Sequence, residues 1–135
     1  TLGALCGVPA PATSEGRDFS AVLRDPSRSG RPALMFAYRD IQRGVRDERW
    51  KLIRYPQVDR TQLFDLYADP EETRDLAAEP AQAVRIAQLT ALLEGEMKTF
   101  GDNAALRVAQ PKPAAWSPPA KGTGGKPGKK AAKAN

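Results

Sequence analysis

The 135-residue chain contains no histidine and one cysteine. Without a second cysteine no disulfide can close within it, and without histidine it can supply neither a Cys/His zinc site nor the commonest general acid and base. Acid is missing from one end: all 16 Asp and Glu residues precede position 103, whereas Arg107, Lys112, Lys121, Lys126, Lys129, Lys130 and Lys133 follow it. Taking those seven from 21 basic residues leaves 14 against 16, so the formal +5 belongs to the chain's end and the body sits near −2. No apolar run approaches the roughly 20 residues of a membrane span, and no charged-then-apolar leader opens the chain. Thr1 in place of Met suggests a fragment or processed piece. At 41% hydrophobic residues, the length suffices for one small domain with a modest core and not for two.

Residues 1–6, TLGALC, read as the last turn or two of a helix, stopped by Gly7 and followed by Pro9 and Pro11. Asp18 is a plausible cap for a short helix whose Phe19, Val22 and Leu23 share a face. The stretch 25–32, DPSRSGRP, is a loop by composition. Four short apolar or alternating runs come next, over 33–38, 41–46, 50–55 and 62–66, with hairpin-length links, and predict an antiparallel sheet. Asp69-Pro70-Glu71-Glu72 has the order of a helix start, with Asp69 as cap and Glu72 able to reach back to it. Between Pro80 and Phe100, Ile86, Leu89, Leu93, Met97 and Phe100 recur at steps of three and four, which predicts one amphipathic helix ended by Gly101. Laid across the sheet, that helix would cover residues such as Leu34, Phe36, Leu52 and Phe64. The expected fold is therefore α+β, a small antiparallel sheet of about four strands with one long helix packed on it. Trp50 should be core. From 104 onward Ala, Pro, Gly and Lys dominate, and a disordered tail is expected, with Trp116 exposed or weakly docked.

Three motifs in order carry a family resemblance: Arg49-Trp50-Lys51-Leu52-Ile53-Arg54-Tyr55, Gln62-Leu63-Phe64-Asp65-Leu66, and Asp69-Pro70-Glu71-Glu72-Thr73-Arg74-Asp75-Leu76-Ala77. Together they resemble the C-terminal subdomain of sulfatases of the heparan N-sulfatase-like and arylsulfatase-like kind. Asp75 departs from the pattern, where the family more often has Asn, but an acid can cap the same backbone. The resemblance divides the chain into 1–32, the end of a catalytic-domain helix and a linking segment; 33–103, the subdomain; and 104–135, the Lys/Pro/Ala/Gly-rich tail. It implies a parent enzyme cleaving sulfuric esters or sulfamates, with this chain packed on the catalytic domain and lining the pocket rim. It also implies formylglycine and calcium in that other domain, none in this chain, and a periplasmic or secreted location.

Inside the chain no residue fits the nucleophile. Sulfatases make formylglycine from the first residue of Cys- or Ser-x-Pro-x-Arg; Cys6 has its proline one place late and no arginine, and Ser117 is followed by Lys121 at the fifth position. Asp65, Asp69, Glu71, Glu72 and Asp75 invite calcium but lack the spacing of a calcium loop, so caps and solvated charges explain them better. The run Tyr38 to Arg46 is the candidate site: the resemblance puts it toward the pocket mouth, where Arg39, Gln42 and Arg43 would meet a sulfated substrate. The plainer alternative leaves Arg39, Arg43 and Arg46 as solvated strand-edge charges or pairs them with Asp40, Asp47 and Glu48. In the first case, Arg43→Ala in the intact enzyme is expected to weaken KM or kcat without lowering stability. Two other functions stay open, an independent module whose basic tail binds polyanions without nucleic-acid specificity, and the tail of a related phosphate or phosphonate ester hydrolase.

Overall fold

A computed structural model describes residues 1–28 and 30–115. Its sheet is a four-stranded antiparallel meander in chain order: β1 (Leu34–Tyr38), β2 (Gln42–Arg46), β3 (Trp50–Tyr55) and β4 (Arg60–Asp65). Two short helices, α1 (Leu2–Cys6) and α2 (Ser20–Arg24), precede it and a 17-residue helix, α3 (Ala83–Thr99), follows it after a 3-10 turn at Pro80–Gln82. The α+β architecture expected from the apolar patterning is present.

Strand alternation decides what α3 covers. Met35, Val45, Leu52 and Leu63 are cross-strand partners in one row, and they join Leu89, Leu93 and Met97 of α3 in the core, with Ala33 and Trp50 alongside. Val45, Leu52, Leu63 and Leu93 are fully buried, each contributing about 1.5–3 kcal/mol of burial. Of the four residues expected under α3, only Leu52 lies there. Leu34, Phe36 and Phe64 have the opposite parity and occupy the other face. On that second face Phe36 lies across Gly44, its register partner, where a Cβ would overlap the ring. Leu34 and Tyr38 stay exposed, as do Leu2, Leu5 and Val8 of the N-terminal stub.

The Asp69-Pro70-Glu71-Glu72 stretch forms a turn and not the expected helix start. Asp69 spends its carboxylate forward, accepting from the Arg74 N–H at 2.8 Å and the Thr73 hydroxyl at 3.0 Å. Glu72 takes a left-handed conformation, φ 55°, and bonds Lys51 Nζ at 2.6 Å instead of reaching back. The loop then returns along β4: Leu76 N–H donates to the Leu63 carbonyl, and Asp75 accepts from the N–H groups of Leu63 and Ala77. An acid does serve at this position.

Past α3 the chain has no further helix or strand among the described residues, yet it stays on the body. Ala104 and Leu106 pack against the core, the Leu106 carbonyl accepts from Arg54 Nε at 3.1 Å, and Lys112 N–H donates to the Gln57 carbonyl at 2.8 Å. The expected disorder beyond 115, and with it Trp116, lies outside the described residues.

Candidate functional site

Both hairpin turns at one end of the sheet, β1–β2 and β3–β4, are built on buried arginines. The β1–β2 link runs Arg39-Asp40-Ile41 between the paired Tyr38 and Gln42, and Arg39 holds φ 49°, a region where a side chain costs energy. Arg43 offsets that cost from below. Its Nη1 donates to the Arg39 carbonyl and, at 2.9 Å, to the Gln42 carbonyl, while Nε and Nη2 reach the two Asp102 oxygens at 2.5 and 3.3 Å. Only 8% of Arg43 is exposed. The pairing with Asp40, Asp47 or Glu48 weighed from sequence is therefore not the one made by Arg43; its partner lies 59 residues on.

Asp102 is delivered by the end of α3. Gly101 turns left-handed at φ 67°, its N–H donates to the Lys98 carbonyl, and Asp102 N–H donates to the Met97 carbonyl at 2.8 Å. This is the Schellman closure, and glycine suits it because any Cβ strains that conformation. Hydrogen bonding from Arg43, with help from the Ala104 N–H, holds the Asp102 carboxyl below the ordinary carboxylate range. An alanine at 43 would leave this acid without its main partner, so the expectation that stability survives Arg43→Ala gives way. The neighbouring hairpin repeats the device: Arg54, also 8% exposed, donates to Thr61 Oγ1 at 2.6 Å and pairs with Asp59.

What this end presents to solvent is Arg39, exposed, 5.4 Å from the Tyr38 ring centroid, and the half-buried Gln42 beside it. Arg39 and Gln42 thus sit on a braced turn and Arg43 beneath it. Gln57 Nε2 approaches Asp40 at 3.4 Å and ties the two turns together.

At the opposite end lies a groove of about 960 Å³, lined by Arg28, Arg31, Arg46, Arg49, Trp50 and Tyr67 among others. Arg49 forks onto Asp65 at 2.6–3.1 Å and lies 5.0 Å from the Trp50 ring, which Arg85 of α3 approaches from 5.2 Å. Arg49 holds the Asp65 carboxyl low, aided by the Ala68 and Tyr67 N–H groups. The local sequence patterning carries no direct mark of this groove, because its walls come from the loop before β1 and from the β2–β3 turn. The adjacency of Arg46 and Arg49 around Asp47-Glu48 was its one visible sign.

Among the described residues no group of three or more His, Cys, Asp or Glu is placed to hold a metal, and no helix is long and apolar enough to cross a membrane. Asp65, Asp69, Glu72 and Asp75 each serve the separate internal bonds described above. Cys6 is exposed and free.

A four-stranded antiparallel meander with one long helix across one face defines a small α+β module. The N-sulphoglucosamine sulphohydrolase C-terminal family matches residues 1–99, and the chain belongs to that family. It is similar to an N-acetylglucosamine-6-O-sulfatase of Bacteroides thetaiotaomicron, 28% identical over 109 residues, covering 72% of this chain and 20% of the relative. Among solved structures it is similar to a protein in complex with its substrate D-glucosamine-2-N,6-O-disulfate, at 25% identity and TM-score 0.66, covering 76% of this chain and 23% of that one. It is also similar to a 2-O glycosaminoglycan sulfatase, at 27% identity and TM-score 0.65, covering 76% and 24%. The chain thus spans about a fifth to a quarter of these relatives' length.

Proposed function

We propose that this chain closes a sulfuric-ester or sulfamate hydrolase: it packs on the catalytic domain of the same parent protein, and its β1–β2 turn forms part of the substrate-pocket rim. Arg39 and Gln42 contact the sulfated substrate through charge-assisted and neutral hydrogen bonds. Arg43 acts through them as a positioning residue. The observation that carries this reading is the bracing of the Arg39 and Gln42 carbonyls by a buried guanidinium, since a turn fixed in advance loses little freedom when it binds. Docking on a larger domain is supported by the family membership and by the apolar surface left open at Leu2, Leu5, Val8 and Leu34. The nucleophile, formylglycine, and the calcium belong to that other domain, as does the catalytic acid, a reading that goes with the absence of histidine from this chain. An exported location goes with the same reading.

The groove at the far end favours a second location for the rim. Arg28, Arg31 and Arg46 line it, and among the described residues none of them has a carboxylate partner. Kinetics on the intact enzyme with a sulfated glucosamine separates the two. Arg39→Ala is expected to raise KM about three- to tenfold, roughly 0.6–1.4 kcal/mol of lost binding, at unchanged melting temperature, with Arg46→Ala near wild type. The reverse pattern moves the rim to the groove, and two silent variants would remove it from this chain.

A further inference from the structure

We propose that the groove between the loop before β1 and the β2–β3 turn is a binding site for a tetrahedral oxyanion carried on a ring-sized organic group, a sulfate or phosphate monoester. Its donors are Arg28, Arg31 and Arg46, with Tyr67 beside them. The site lies at the opposite end of the sheet from Arg39 and goes beyond the rim proposed there.

Strand register brings the arginines together. Leu34 and Arg46 are cross-strand partners, so the loop that leads into β1 and the turn that leaves β2 are neighbours along one edge of the groove. Both walls are held by the fold. On the first, Gly30 lies against the Phe19 ring, where a Cβ would come within 2.7 Å of an aromatic carbon, and Ala33 is seated in the core. On the second, Asp47 N–H donates to the Trp50 carbonyl at 3.0 Å, and the Asp47 carboxylate accepts from the N–H groups of Arg49 and Trp50 at 2.9 and 2.6 Å. Walls fixed in advance lose little freedom when a ligand arrives.

The acids around the groove are engaged, and three of its arginines are not. Asp47 caps its own turn, Asp65 takes the Arg49 fork, and Asp25 accepts from the Ser27 N–H and hydroxyl. Hydrogen bonding to Glu48 raises the Tyr67 phenol above its ordinary pKa and keeps it protonated. Among the described residues Arg28, Arg31 and Arg46 have no carboxylate partner, and Arg46 makes only the 3.4 Å contact to the Asp47 carbonyl. Guanidiniums gathered without a counter-charge repel one another, and an anion between them offsets that cost. Their N–H forks match the oxygens of a sulfate or phosphate group. At about 960 Å³ the groove is far larger than a bare ion and has the size of a small-molecule site. Tyr67, exposed at its edge, offers a ring face to the organic part of an ester.

The test titrates the whole 135-residue chain with glucose 6-sulfate, glucose 6-phosphate and glucose at constant ionic strength, reading heat and the NMR signals of the arginine Nε–H groups. Saturable binding of at least one ester at millimolar concentration is expected, with shifts at Arg28, Arg31 and Arg46. The ester that binds tighter names the source of the oxyanion. Arg46→Gln should weaken that binding about tenfold, and the combined Arg28→Gln, Arg31→Gln, Arg46→Gln chain should abolish it. Arg39→Gln, at the other end of the sheet, should leave it unchanged. If the triple variant does not fold, the single Arg46→Gln decides, since this exposed side chain has no partner whose loss would unfold the chain. Glucose bound as well as the esters, no saturation by either ester, or equal losses at 39 and 46 would overturn the proposal. Because no turnover is measured, failure here is distinct from failure of the Arg39 kinetics.

Discussion

At the β1–β2 end of the sheet, Arg43 and Arg54 are buried and spend their N–H groups on Asp102, Asp59, Thr61 and the carbonyls of Arg39, Gln42 and Leu106. At the β2–β3 end, Arg49 is paired with Asp65, but Arg46 makes only a 3.4 Å contact to the Asp47 carbonyl and faces a groove with Arg28 and Arg31. One residue type therefore does two jobs. Where the guanidinium is enclosed, each of its three nitrogens is engaged by the fold and it shapes backbone. Where it is open, it remains available to an anion. The distinction turns on strand parity: positions 43 and 54 point to the α3 side, whereas 46 points away from it.

Replacing members of each group tests that contrast. Arg43→Ala or Asp102→Ala should cost about 2–3 kcal/mol in urea unfolding, the loss of charge-assisted bonds whose partner is left behind. Arg46→Ala should stay within about 0.5 kcal/mol. Similar losses at 43 and 46 would erase the difference between the ends. A smaller effect, about 1 kcal/mol, is expected for Gly101→Ala, which keeps every side chain of the pair but strains the residue that aims Asp102. If Gly101→Ala proves neutral, the helix end does not position the acid.

The mildest probe is pH. Asp102 and Asp65 are held below the ordinary carboxylate range by Arg43 and Arg49 respectively. The unfolded chain takes up protons first as pH falls, so stability from both pairs is complete above the ordinary carboxylate range and drains away below it, as pH passes down to the lowered folded values. The Arg43→Ala chain should lose its share of this acid sensitivity while keeping that of Asp65. Unfolding midpoints between about pH 6 and pH 2.5 would read the difference.

Much of the fold was legible because the physics was local. Strand lengths followed from short apolar runs between turn residues, and α3 from the Ile86, Leu89, Leu93 and Met97 spacing. Gly101 announced the helix end. The failures were failures of parity and of distance. Choosing Leu34, Phe36 and Phe64 for the helix-covered face required a register that only pairing supplies, since apolar residues occur on both faces. The Asp69-Pro70-Glu71-Glu72 turn has the residues of a cap, and Lys51 on β3 won Glu72 away from that role. Of the candidate site, the turn bearing Arg39 and Gln42 was visible as a run of polar residues between strands. The bond from Arg43 to Asp102 was not, because nothing in residues 39–46 points to a partner 59 positions later.

The closure at Gly101 also limits how the gene can change length. Adding one residue within α3 would swing Asp102 by about 100° around the helix axis and advance it about 1.5 Å, while Leu89 and Leu93 remained seated. The carboxylate would then miss Arg43, and the turn bearing Arg39 would lose its brace with no substitution anywhere near it. Insertions and deletions between the core residues of α3 and Asp102 should therefore be tolerated far less than equal changes in the linker before α2.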